Sequence, residues 1–241
     1  MSTISIPATA VYSLNGEQTL WRSYSIVYDL MGDVPFVKDL RKRHVASMGG
    51  LEHVLDGGCG PGLIAQSLAE SGAKAVVGID VNNEMLKVAA DRLKYLKDVA
   101  LYRADVHQLP FADSTFDGAV SNMVLYFVDD PHKVLLEMAR ITRPGGLLSI
   151  ASLRPHFDIE VLLEATYLHL QSLGLERSLI KEFEVFAASN RALSERARNL
   201  YEPDEIAEMM LKYYNCQTIL DFDTTYLGQG FFVLAKRRDV S

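Results

Sequence analysis

Apolar and polar residues follow two different periods along this chain, and the switches between them outline the elements. Residues 20–48 carry apolar positions at helical spacing (Tyr24, Val27, Tyr28 and Met31, then Phe36, Leu40 and Val45), and Gly49-Gly50 stops the run. Residues 1–19 are polar and mixed, without a period, and read as an arm or part of a lid. From there strand and helix patterns alternate. HVLD at 53–56 is a short apolar strand that ends in a carboxylate and is followed by a glycine turn. Residues 63–70 are helical, with Ile64 and Leu68 on one face and Gly72 as terminator. AVVGI at 75–79 reads as a buried strand ending at Asp80, and Asn82 caps a helix carrying Met85, Leu86, Ala89 and Leu93. Residues 99–103 make a third strand running out to Asp105, and FDGAVSNM at 116–123 a fourth. Asp130-Pro131 is a cap followed by a first-turn proline, opening a helix through Leu135, Met138 and Ile141. Pro144-Gly145-Gly146 breaks the chain before a strand at 147–151.

Four or five strand-then-helix units in series predict a parallel sheet covered by helices on both faces. The alternation pauses near Ser152: residues 155–200 are mostly helical, with a turn around Gly174. It resumes with a helix at 203–212 and strands at 218–222 and 230–235. The chain thus divides into an N-terminal helical arm or lid (1–50), a core (51–152), a helical insertion over the sheet's ligand-binding edge (153–202) and a C-terminal part of the core (203–241). A length of 241 residues suits one α/β domain, or a core with one large insertion, better than two independent folds. Neither repeats nor low-complexity segments occur.

Composition narrows the class. At 49% hydrophobic and 23% charged, the chain can bury a sizeable core. Twenty-four basic against 31 acidic residues give a net charge of −7, with no basic stripe, which disfavours nucleic acid as a partner. Cys59 and Cys216 lie far apart and form no CxxC pair, so neither a cysteine zinc module nor a disulfide framework is expected. His44, His53, His132 and His169 show no metal spacing and read as structural, and no metal site is expected. Residues 1–16 lack the basic start and continuous apolar run of a signal peptide. No stretch approaches the roughly 18 apolar residues of a membrane span. The expectation is a soluble, cytoplasmic protein.

The chemistry concentrates in VLDGGCGPG at 54–62. An acid at a strand end is followed by Gly58, Gly60 and Gly62 at alternate positions opening a helix. Glycines let the backbone turn tightly and approach a ligand, and the helix start presents free N–H groups. A dinucleotide loop has the spacing GxGxxG, but here Leu63 stands where the third glycine would fall. Asp56 also puts negative charge beside the loop, which suits a ligand bearing an ammonium and a sulfonium better than a diphosphate. Asp80 ends the second strand, 22 residues after Gly58, where a carboxylate can accept both hydroxyls of a ribose. Asp105 ends the third and is followed by Val106, a pair able to hold an adenine edge and face. Three strand-terminal acids in register make one ligand site at the carboxyl ends of a parallel sheet.

These segments, with GIDVNNEML (78–86), RADVHQLPFADSTFDGAVSN (103–122) and RPGGLL (143–148), resemble the S-adenosylmethionine-dependent class I methyltransferases. The likeness is greatest to the branch of quinone-biosynthesis and natural-product small-molecule enzymes, and covers residues 50–152 with a weaker echo at 203–236. It implies a Rossmann-like seven-stranded sheet, parallel except for a reversed final strand. It implies S-adenosylmethionine as cofactor, S-adenosylhomocysteine as product and a small-molecule methyl acceptor. Position by position, Asp56, Gly58, Cys59 and Gly60 would line the methionine part and Asp80 would hold the ribose. Val81 and Met85 would flank the adenine, Asp105 would meet its amino group and Val106 would pack nearby. The Asn122 backbone would receive the ligand's ammonium, and Tyr28 in YDLM (28–31), with Tyr24 less so, would close over the cofactor.

A base is needed only if the acceptor must lose a proton, and His107 and His156 are the candidates, each against the reading of an ordinary surface or core histidine. Tyr126 could orient a substrate or simply pack. Phe157, Leu162, Leu163, Tyr167, Leu170, Phe183 and Phe186 form either an apolar roof over a partly lipophilic substrate or a helix's core face. The charged run 195–198 reads as a solvated helix face. Two rival readings stay open: an NAD-dependent oxidoreductase, against which the loop spacing argues, and a non-catalytic S-adenosylmethionine-binding protein. A nucleic-acid amino methyltransferase would show [Asn/Asp]-Pro-Pro-aromatic after the fourth strand, where this chain reads SNMVLYFV. Oxygen, nitrogen and carbon acceptors all remain open, as does the oligomeric state.

Overall fold

The computed structural model describes Tyr24, Tyr28, residues 32–222 and residues 225–238. Seven strands form one sheet: β1 (His53–Gly57), β2 (Ala75–Asp80), β3 (Val99–Arg103), β4 (Phe116–Asn122), β5 (Thr142–Leu153), β6 (Cys216–Phe222) and β7 (Gly230–Arg237). Their order is β3-β2-β1-β4-β5-β7-β6, with β7 antiparallel to both neighbours and the other pairs parallel. Chain order reverses between β1 and β4, so a crevice opens at the carboxyl ends of these two strands, where ligands bind in open α/β sheets.

The apolar runs of the central strands are what a sheet covered on both faces requires. Successive residues face opposite layers. Leu55, Ile79, Ala119 and Leu148 pack with Leu135 and Met138 of α4 (Pro131–Ile141) and with Ile206 and Met210 of α7 (Pro203–Tyr213). Val54, Val76, Val120 and Ala151 pack with Leu40 of α1 (Pro35–Ser47), Ile64 and Leu68 of α2 (Leu63–Glu70), and Ala89 and Leu93 of α3 (Asn83–Leu93). Local signals set the helix starts. The Asn82 side chain accepts from Glu84 N and Met85 N, and that of Asp130 from Lys133 N. Among the described residues no helix is long and apolar enough to cross a membrane.

After β5 come α5 (Ile159–Ser172) and α6 (Ile180–Ser194), joined through a turn at Gly174, φ +67°. Leu162, Leu163, Phe186, Ala187 and Leu193 of this pair form a third core with Tyr24, Val34, Phe36, Val37 and Met85. The segment's far end is fastened to the loop after β4. There Arg198 N donates to Tyr126 O at 2.9 Å, and the Arg198 side chain pairs with Asp129. Arg198 is therefore more than part of a solvated face.

Two expectations need correction. The helix read over 20–48 is interrupted: Tyr24 and Gly32 are helical, the chain leaves the helix at Asp33 and Val34, and α1 starts at Pro35, because a residue before proline is pushed out of the helical region (Val34 φ −61°, ψ 130°). Most of the segment before it, and the arm at 1–19, lie outside the described residues. Pro144-Gly145-Gly146 does not precede a strand but lies within β5. Thr142 pairs with Phe116 and Leu147 with Gly118, so the intervening residues are accommodated as a bulge. A β-carbon on Gly146 would lie 2.6 Å from Asp117 O and 2.8 Å from Arg143 O, both rigid backbone atoms. Gly146→Ala should destabilise the fold by about 1–3 kcal/mol, read from the denaturant midpoint. An unchanged midpoint would contradict this bulge geometry.

Candidate active site

The loop after β1 is built on two backbone bonds: Gly58 N and Cys59 N both donate to Ile79 O, at 2.9 and 2.8 Å. Gly58, Gly60 and Gly62 all take positive φ, +75°, +52° and +82°. Their needs differ. A β-carbon on Gly58 would sit 2.4 Å from Val124 Cγ2, and one on Gly62 would sit 2.9 Å from Leu93 Cδ1. Around Gly60 the same position is open space. Gly58 and Gly62 thus serve packing as well as the turn, and Gly60 is the glycine that leaves room for a ligand.

Asp56 is buried beneath this loop, and its Oδ2 accepts from Ala65 N at 3.0 Å in the first turn of α2. Burial pushes its carboxyl up to about 7, against the opposing Ala65 N–H and with a further push from Asp80. Asp80 accepts from Gly60 N at 2.9 Å through Oδ2 and from Asn82 N at 2.8 Å through Oδ1. Burial raises its carboxyl too, while these backbone bonds lower it. Each Asp80 oxygen retains a lone pair for a further donor. No positive side chain is among the groups that shift either acid. A cationic ligand would relieve the cost of holding both ionised, and an anionic one would add to it.

Asp105 Oδ1 accepts from His107 N at 2.9 Å and lies 2.6 Å from His107 Nδ1. The other ring nitrogen, Nε2, accepts from Asp130 N at 3.3 Å, so Nδ1 carries the proton and donates to Asp105. Val106 is buried beside Gly57. At the end of β4, Asn122 Oδ1 lies 3.2 Å from Nε2 of the fully buried His44, whose Nδ1 lies 2.7 Å from Ser149 Oγ. A carboxamide oxygen only accepts, so Nε2 donates to it and the Ser149 hydroxyl donates to Nδ1. Burial holds His44 neutral, lowering it to about 4.

Aromatic side chains close over these acids. Tyr28 meets Tyr24 edge-on at 5.2 Å, and Tyr24 stacks on Phe186 at 6.0 Å. Burial and the nearby Asp56 push the Tyr28 hydroxyl up to about 12. Tyr126 and Tyr226 are raised by burial and by Tyr28, so all three stay protonated at neutral pH.

Known proteins share this architecture. Residues 55–150 match the family described as methyltransferase domain. Demethylmenaquinone methyltransferase of Tropheryma whipplei is 31% identical over 159 residues, covering 66% of this chain and 64% of that protein. A solved S-adenosylmethionine-dependent methyltransferase from Aquifex aeolicus superposes with a TM-score of 0.60 at 19% identity, over 88% of this chain and 97% of that one. The N-methyltransferase NodS from Bradyrhizobium japonicum, solved with S-adenosylhomocysteine, gives 0.61 at 16%, over 90% and 100%. Residues 55–150 are thus similar to the methyltransferase domain, and the fold is that of the solved S-adenosylmethionine-dependent methyltransferases. The chain spans between 29% and 64% of the length of the curated relatives it matches.

The core brings Asp56, Gly58, Cys59, Gly60, Asp80, Asp105, Val106 and Asn122 to one edge of the sheet. Val81 is 42% exposed at the end of β2, while Met85 is buried under the helices of the third core. His107 departs from the expectation of a base: both ring nitrogens are spent on holding Asp105 and the start of α4. His156 is exposed in the turn that leaves β5. Among the described residues no group of three potential metal ligands occurs.

Two contacts near this edge are not visible in the sequence. His44, read as structural, does hold structure: it ties Asn122 to Ser149. Tyr226 comes from the loop between β6 and β7, marked in sequence only by Gly228 and Gly230. Tyr226 and Leu227 both take left-handed backbone, φ +56° and +57°, a strain of about 1–3 kcal/mol each for non-glycine residues.

The Asp56 shift has a direct consequence. The unfolded chain gives up this proton near the ordinary carboxylate value, about 4, whereas the folded chain keeps it to about pH 7. The ligand-free protein should lose stability as pH rises from about 4 to about 7, and Asp56→Asn should flatten that fall in thermal melts. Equal slopes in the two proteins would contradict the assignment.

Proposed function

We propose that the chain transfers a methyl group from S-adenosylmethionine to a small, partly lipophilic organic acceptor. The observation that carries this reading is the pair of acids at the glycine loop, buried Asp56 and half-buried Asp80, the latter bonded to Gly60 beside open space, with no cation among the groups that perturb them. A ligand that brings an ammonium and a sulfonium fits that deficit. The Asp80 oxygens take the ribose hydroxyls, and the Asp105 oxygen not spent on His107 accepts from the adenine amino group. Val81, Met85 and Val106 border the base, and the backbone at Asn122 receives the ammonium beside Cys59.

When bound, the cofactor supplies an electrophilic methyl whose leaving group departs neutral, so no acid is needed to expel it. The protein's part is alignment and exclusion of water. The helices α5 and α6, the Tyr24–Tyr28 pair and Phe36 cover the edge with apolar surface. This supports residues 153–202 as a substrate cap and Tyr24, Tyr28 and residues 34–37 as part of a lid; residues 1–19 of the expected lid lie outside the described residues. Tyr126, protonated at neutral pH, orients the acceptor and does not act as a base. His156 stands as the base for acceptors that must lose a proton. An NAD-dependent oxidoreductase is not favoured, since Leu63 replaces the third glycine and residues 55–150 match a methyltransferase domain.

Asp80→Ala should weaken S-adenosylmethionine binding at least about tenfold by calorimetry, a loss of about 1.4 kcal/mol or more. Unchanged affinity removes Asp80 from the site. Incubation with methyl-labelled cofactor and a panel of hydroxylated, amino and carbon-acid ring compounds should label at least one class. Cofactor binding with no labelled product across the panel would favour a non-catalytic role.

A further inference from the structure

A cleft lies on the outer side of α2, opposite the face that carries Ile64, Ala65 and Leu68 into the core. It opens between α1, α2 and α3, holds about 300 Å³, and is walled by Asp33, Arg41, Gln66, Ser67, Glu70 and Arg92. A cavity of about 250 Å³ shares Arg41 and Ser67 with it and continues along α1 to Val45 and Ala46, with Lys42 at its side. The two adjoin as one trough with a charged end and an apolar end. None of these side chains is used by the methyl-transfer reading.

The charges at this trough are not balanced. Asp33 pairs with Lys38 at 3.7 Å, and Glu70 Oε1 accepts from Gln66 Nε2 at 3.0 Å and from the Tyr95 hydroxyl at 2.8 Å. Both acids of the wall therefore have donors of their own. Arg92 Nε donates to Pro61 O at 2.8 Å, which fixes its guanidinium at the wall. Arg41 is half-buried, and among the described residues its side chain makes no hydrogen bond, nor does it or Lys42 enter an ion pair. Arg41, Arg92 and Lys42 repel one another across the trough until an anion sits among them. A guanidinium is a planar fork of donors that matches a carboxylate.

We propose that this trough is a second ligand site, separate from the methyl-transfer site, for a carboxylate with a short apolar tail. The carboxylate lies on Arg41 beside Arg92, and the tail runs along Val45 and Ala46. A neutral alcohol of the same length would leave the arginines without an anion. A bare small anion would forgo the burial of methylenes at the apolar end. The site abuts the cofactor loop from outside, since Arg92 holds Pro61 and the inner side of α2 holds Asp56 through Ala65 N.

The test titrates the full chain, saturated with S-adenosylhomocysteine, with octanoate, octanol and acetate by calorimetry. The wild type should bind octanoate at least about tenfold more tightly than either other probe. Arg41→Gln should lose at least about tenfold in octanoate affinity while its S-adenosylhomocysteine affinity stays within about twofold. Octanol or acetate bound as tightly as octanoate, or octanoate affinity unchanged in Arg41→Gln, overturns the proposal. So does displacement of S-adenosylhomocysteine by octanoate, or a parallel fall in S-adenosylhomocysteine affinity in Arg41→Gln, since either puts the anion in the cofactor site. The comparison of probes uses the wild type alone and stands whether or not the variant folds. If the wild type binds no S-adenosylhomocysteine, the methyl-transfer reading falls, and the octanoate titration still decides the trough.

Discussion

One buried and one half-buried carboxyl beside a single glycine loop are the constraint on which the rest of this structure depends. Asp56 and Asp80 end adjacent parallel strands, β1 and β2; burial raises both carboxyls, and Asp80 raises that of Asp56 further. The protein offsets part of this rise with backbone N–H groups: Ala65 on Asp56, Gly60 and Asn82 on Asp80. These same bonds fix the loop, cap α3 and seat α2. Both carboxyls are therefore held in place before any ligand arrives, and no positive side chain is among the groups that shift them. The chemistry of the fold and the chemistry of the cofactor meet at that deficit.

Around the acids the chain spends polar side chains on holding other polar side chains. His107 bridges Asp105 to the start of α4, and His44 ties Asn122 to Ser149 across the sheet. Neither histidine has a nitrogen left over for proton transfer. This division agrees with a displacement that needs alignment more than acid–base work. Above the acids, aromatic and aliphatic residues from α1, α3, α5, α6 and the β6–β7 loop form one cluster, so the cover and the cofactor edge are packed as a unit.

Much of this is legible in the sequence because parallel strands buried on both faces appear as unbroken apolar runs, and because Asn82 and Asp130 are local caps that act within a few residues. The glycine loop and the strand-terminal acids follow from spacing alone. What is not legible depends on distant partners. That Gly58 yields to Val124 and Gly62 to Leu93, while Gly60 stays open, is decided by elements far along the chain. The bulge at Pro144-Gly145-Gly146 appears only when β5 is laid against β4. Tyr226 reaches the site from a turn 100 residues after Tyr126, on a backbone conformation that its residue type does not announce. A histidine next to an acid, as in Asp105-Val106-His107, suggests a base until the second nitrogen is seen to be occupied.

The most direct test of this account is calorimetric titration of the purified chain with S-adenosylmethionine, S-adenosylhomocysteine and NAD under one set of conditions. The account predicts micromolar binding of the first two and none of NAD, because the buried acid pair accepts a ligand carrying positive charge and repels a diphosphate. Binding of NAD alone would contradict it and return the glycine loop to the dinucleotide class.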